Sequence, residues 1–141
     1  MELRTDKIRA CFDRKIGNFT ELWNLSTNTN YVRCAPRDPL IELYGLKNGE
    51  RVKLSGHISD VAEAPDALIL SYDSFGEYDI SAKVTCRCEQ DRLAFSAEIC
   101  NHSTIDVTEI LMPHLGGIYL GNGQKDYLIY PHHAGDKTED P

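Results

Sequence analysis

Two adjoining runs of alternating residues constrain this chain more than any other feature. Ile80, Ala82, Val84, Cys86 and Cys88 alternate with Ser81, Lys83, Thr85 and Arg87, and Leu93, Phe95, Ala97 and Ile99 repeat the pattern after Glu89, Gln90, Asp91 and Arg92. A period of two is the signature of a half-buried strand, and two such runs joined by a few polar residues predict a hairpin. Pairing Cys88 with Leu93, Cys86 with Phe95, Val84 with Ala97 and Ala82 with Ile99 places every apolar residue on one face. A slip of one residue would expose the whole set, so the pattern fixes the register. It also predicts that Ile80, Val84, Phe95 and Ile99 lie buried between two facing sheets.

The rest of the chain continues in strands. Ile8, Ala10 and Phe12 alternate ahead of Gly17, and Phe19, Leu22 and Leu25 follow it, ending at the turn-rich STNTN of 26–30. Trp23, the sole tryptophan, is expected in the core near this first hairpin. Residues 40–46 and 51–59 flank Asn48-Gly49, the strongest short hairpin signal in the sequence. Residues 67–72 form a short apolar strand, and 106–112, 117–120 and 127–130 are further candidates. Residues 60–67 alone suggest a helical turn, which Pro65 would limit. Many short strands with turn chemistry between them predict a single all-β domain over residues 1–141, an antiparallel β-sandwich or barrel.

Composition excludes several function classes. The 22 acidic residues against 15 Lys and Arg give a net charge of -7. With no clustered basic patch, that balance argues against nucleic acid as a partner. No run of eighteen apolar residues is present, so the sequence gives no membrane-spanning helix. The N-terminal MELRTDKIRA lacks the apolar core of a secretory signal. Five cysteines are spread without a CxxC pair. Free thiols and a cytoplasmic location are therefore the expectation. Cys86 and Cys88 fall on one face of a strand, where a free cysteine behaves as a small buried hydrophobe and not as half of a metal site.

The last thirty residues bring histidines, tyrosines, acids and glycines together in loop-like sequence, and loops carry much of the function of all-β proteins. An MPHLGGIYLG segment followed by DYLIYPHHAG resembles the N-terminal β-sandwich region of a group of bacterial glycoside-hydrolase-like proteins, of the galactose-mutarotase-like supersandwich type. RLAFSAEICNHS is similar to that family's middle strand, with an inward aromatic matched by Phe95 and a closing Asn matched by Asn101. The resemblance implies the N-terminal part of a supersandwich, packed on a catalytic barrel that lies outside these residues and helping to frame its sugar site. A carbohydrate and that barrel are then the expected partners.

Glycoside hydrolysis needs two carboxylates roughly 5–10 Å apart, and the resemblance places that pair on the absent barrel. Asp126, Asp136, Glu139 and Asp140 have no spacing that singles out a couple, so no catalytic residue is assigned. The expected ligand-contacting residues are His114, Tyr130, His132, His133 and Asp136. Sugar rings stack on aromatic faces while a few polar groups bind the hydroxyls, and Tyr119, Tyr127 and Tyr130 are the local aromatics. Extended sequence sends His132 and His133 to opposite faces, so at most one could join His114 as a metal ligand. Zinc needs three or four, so neither a metal nor another cofactor is expected. Two alternatives stay open: a small sugar mutarotase or epimerase using His132 or His133 with Asp136 or Glu139 as acid and base, and a structural module that forms homodimers through an unpaired sheet edge.

Overall fold

The computed structural model describes residues 1–119 in full and the backbone of Tyr127–Tyr130 and Asp136–Glu139. The central hairpin forms in the expected register: Ile80–Glu89 (β9) pairs antiparallel with Arg92–Asn101 (β10), with Cys88 opposite Leu93, Cys86 opposite Phe95 and Val84 opposite Ala97. Gln90 takes a positive φ of 49° in the two-residue turn. Ala67–Tyr72 (β8) pairs on the other side of β9, placing Leu68, Leu70 and Tyr72 beside Cys86, Val84 and Ala82. Ile80 and Val84 are fully buried, as expected. Phe95 and Ile99 are only half-buried. The reason is positional: among the described residues β10 is the edge of its sheet, whereas β9 lies between two neighbours.

Asp60–Glu63 (β7) completes this four-stranded sheet, so the helical turn expected over 60–67 is not formed. Ala64 and Ala67 exchange backbone hydrogen bonds across Pro65 and Asp66. The proline acts as a turn residue, its φ preset by the ring, and sends the chain back into β8.

A second four-stranded sheet orders Glu2–Arg4 (β1), Ile8–Phe12 (β2), Phe19–Asn24 (β3) and Thr29–Asn30 (β4). Between β2 and β3 the Asp13 carboxylate accepts from the amides of Lys15 and Ile16, and Gly17 closes the loop at φ 73°. A register shift follows, because Cys11 faces Glu21 while Phe12 faces Phe19. That bulge returns Phe19 to the inner face, where it sits 4.8 Å from Phe12. Arg9 and Glu21 point the other way with Trp23, whose indole NH donates to Glu21 at 2.8 Å. Trp23 is therefore half-buried on the outer face, with the Arg9 guanidinium 5.5 Å from its ring centre, and not in the core.

Asp106–Leu111 (β11), Glu42–Lys47 (β5) and Glu50–Leu54 (β6) form the third sheet in the order β11-β5-β6. Asn48 and Gly49 both have positive φ, 55° and 81°, as a type I′ hairpin turn requires. Residues 117–119 make one β-bridge, Ile118 to Val32, in place of a full strand. The all-β fold is thus an open, sandwich-like packing of three antiparallel sheets in place of the two facing sheets expected, and a fourth, two-stranded sheet forms near the C-terminus. One apolar core joins Leu3, Ala10 and Phe12 from the second sheet, Leu43 and Leu54 from the third, and Leu70, Ile80 and Val84 from the first.

All five cysteines are free. Cys86 and Cys88 are buried on the inner face of β9, and burial pushes the Cys86 thiol up to about 12. It behaves as a small hydrophobe. Tyr127–Tyr130 (β12) forms as expected, and Asp136–Glu139 (β13), not among the expected strands, pairs with it.

Candidate functional site

Asn18 organises the loops on one end of the molecule. Fully buried just before β3, it donates from Nδ2 to the carbonyls of Asp38 at 2.9 Å and His114 at 2.8 Å. Its Oδ1 accepts from the Phe19 amide at 2.9 Å. One side chain thereby ties the β2–β3 loop to two segments distant in sequence, and the His114 amide adds a bond of 2.8 Å to the Leu40 carbonyl.

This anchoring brings His114 to Glu42. His114 Nδ1 lies 3.5 Å from Glu42 Oε1, an ion-pair distance without hydrogen-bond alignment. Glu42 is a carboxylate only 3% exposed. Lys53, on the neighbouring strand, pairs with Oε1, and the Tyr44 hydroxyl donates to Oε2 at 2.9 Å. Burial pushes the Glu42 carboxyl upward, but the bonds from Lys53 and Tyr44 outweigh it and hold the group below the usual carboxylate range. The bond to Glu42 in turn raises Lys53.

A separate cleft of about 390 Å³ opens where the inner face of β3 meets the free edge of β10. Phe19 and Phe95 meet edge to face at 6.2 Å, and Leu22 and Leu93 extend the apolar wall. Lys7, Asn24, Ser26, Asp91 and Arg92 supply polar groups, and Ile8, Trp23, Tyr31 and Leu115 complete the lining. The cleft exists because β10 has no further strand beside it among the described residues. Its half-buried row of apolar side chains is shared with the gap between sheets.

Of the residues singled out from sequence, His114 joins the Glu42 cluster. Tyr130 and Asp136 are register partners on the β12–β13 hairpin, though their side chains fall outside the described residues. His132 and His133 also lie outside them. Tyr119 is half-exposed, with the Arg33 guanidinium 5.1 Å from its ring centre. Among the described residues no group of three or more His, Cys, Asp and Glu is placed to hold a metal ion.

Sequence reasoning passed over Glu42 and the β3–β10 cleft. A signal for the first was present, since Glu42 interrupts the apolar run Leu40, Ile41 and Leu43. No local signal marked the second, which depends on how two sheets meet. Fold and site together define an open all-β sandwich with an apolar, polar-rimmed cleft at one sheet edge. Compared with known proteins, the chain matches no protein-family model, no curated protein and no solved structure.

Proposed function

We propose that this chain is a non-catalytic β-sandwich domain of a glycoside-hydrolase-like protein, contacting carbohydrate through the cleft between β3 and β10. The observation that carries the reading is the cleft itself: an apolar and aromatic wall ringed by Lys7, Asn24, Ser26, Asp91 and Arg92. A mostly apolar pocket with a few polar groups suits a sugar, whose C–H faces pack on rings while its hydroxyls seek donors and acceptors. Leu115, within the segment that resembles the glycoside-hydrolase-like proteins, contributes to the lining. Residues 117–119 run beside Tyr31, whose carbonyl accepts from the Tyr119 amide at 2.7 Å.

The alternative of a His and carboxylate acid–base enzyme gains one observation, the approach of His114 to Glu42. It is the weaker reading. Glu42 is already engaged by Lys53 and Tyr44 and held below the usual carboxylate range, which makes it a poor base near neutral pH.

The test follows the amides of Leu22, Tyr31, Arg92 and Phe95, all in the cleft lining, by NMR. Methyl galactosides, methyl glucosides and their short oligomers should shift these amides saturably, and Arg92→Gln or Tyr31→Ala should weaken the response. Amide spectra that ignore every sugar would sink the carbohydrate role.

A further inference from the structure

A second cavity, of about 220 Å³, lies between the β2–β3 loop, the 37–42 segment and the chain leaving β6. Tyr72, Ile41 and Leu54 line its buried side. Lys15, Arg37, Lys53 and His57 stand on the exposed side. It shares no lining residue with the β3–β10 cleft.

Tyr72 is the unusual member. It is 2% exposed, its ring stacks on Phe75 with centres 5.5 Å apart, and its hydroxyl has no hydrogen-bond partner in the protein. Buried hydroxyls are nearly always paired, so an unpaired one on a residue that lines a cavity points to a guest acceptor. The hydroxyl lies beside Gly17, where a Cβ would stand 3.4 Å from it. Burial raises the phenol to about 12, so the group stays a donor throughout the neutral range.

The charges around it select the guest. Glu42 is already occupied by Lys53 and Tyr44. Among the described residues, neither Lys15 nor Arg37 has a carboxylate within ion-pair distance. Asp38 is the remaining acid in the lining, and it is exposed. In a chain of net charge -7, Lys15, Arg37 and Lys53 outnumber Asp38 and Glu42 in this lining.

We propose that the cavity floored by Tyr72 binds a small oxyanion, carboxylate or phosphate, which accepts from the Tyr72 hydroxyl and is neutralised by Lys15 and Arg37. The volume accommodates a group of that size. The site stands independently of the carbohydrate reading.

The intact chain should be titrated at low ionic strength with inorganic phosphate and with malonate, methyl glucoside serving as the uncharged control, while the amides of Gly17, Gly56 and His57 are followed by NMR. One or both anions should shift these amides saturably, and their relative affinities distinguish the two sources. Tyr72→Phe, which keeps the ring and removes the hydroxyl, should weaken binding about tenfold or more, since a hydrogen bond to a charged acceptor is lost. Arg37→Gln and Lys15→Gln, both at exposed positions, should each weaken it and flatten its salt dependence. If Tyr72→Phe folds poorly, the two surface variants decide. No saturable shift with either anion, or binding indifferent to these substitutions, overturns the proposal.

Discussion

Replacing Asn18 tests how the loops are held. The side chain satisfies the carbonyls of Asp38 and His114 and the amide of Phe19, from a fully buried position. Asn18→Ala leaves all three backbone groups without that partner and opens a small void. Each buried group left unpaired costs about 1–3 kcal/mol, and water entering the void recovers part of it. A loss of about 3–5 kcal/mol is therefore expected, which is a large share of a small domain's roughly 5–15 kcal/mol. Asn18→Asp keeps an acceptor for the Phe19 amide but sets carboxylate oxygens against two carbonyls. Burial and those carbonyls would raise the new carboxyl's pKa in the folded state. A raised folded pKa means that stability is retained below the unfolded pKa and lost as pH rises through the folded one. Urea unfolding followed by Trp23 emission should show Asn18→Ala strongly destabilised at every pH and Asn18→Asp progressively worse from acid towards neutral pH. An Asn18→Ala midpoint equivalent to less than about 1 kcal/mol of loss would refute the reasoning, because buried unpaired groups cost at least that.

Two glycine substitutions separate backbone strain from packing. Gly17→Ala combines a φ of 73° with a Cβ 2.6 Å from Leu70 Cδ1, so about 2–5 kcal/mol should be lost, whereas Gly49→Ala, at φ 81° with open space around it, should lose only about 1–2 kcal/mol in the same unfolding assay. Leu70→Ala should cost about 2–5 kcal/mol and Leu93→Ala, half-buried on the edge strand, clearly less; equal losses would contradict the edge position of β10. Glu42 has a lowered folded pKa, so its contribution is present above its ordinary value of 4.5 and is lost as pH falls through the folded value; Glu42→Gln should flatten acid unfolding in that range, as circular dichroism against pH would show. The ten residues of β10 present an unpaired edge among the described residues, and concentration-dependent dimerisation in sedimentation is the expected behaviour if that edge pairs with a second copy; Ala97→Pro, which removes an amide directed away from β9, should abolish it.

The fold was legible wherever strict alternation and turn chemistry agreed. The β9–β10 register follows from period two alone, and Asn48-Gly49 specifies the turn between β5 and β6. Legibility failed where one irregularity reset the phase. The bulge between β2 and β3 returns Phe19 to the core and turns Trp23 outwards, and nothing in the spacing of Phe19, Leu22 and Leu25 announces it. Pro65 was ambiguous for a related reason: a proline that limits a helix also starts a turn, and the pairing of β7 with β8 decided between them.

The site was less legible because its chemistry is made by packing. His114 could be picked out as a residue type, but its approach to Glu42 depends on Asn18 and Leu40 holding the 112–119 segment in place. Tyr72 reads in sequence as one more apolar strand position, and only the combination of Gly17 overhead with Lys15 and Arg37 at the rim makes its hydroxyl a candidate donor. The β3–β10 cleft has the same origin. Alternation predicts an apolar face on β10 but cannot say how deeply that face is covered. Because β10 is an edge strand, its apolar row is partly uncovered, and the same edge serves both proposals made for it. A sugar in the cleft would pack on the face of β10, whereas a second copy would pair along its backbone. Proline at Ala97, whose amide is directed away from β9, should therefore abolish edge pairing while leaving Phe19 and Phe95 to line the cleft, so dimerisation and sugar binding can be separated in one variant.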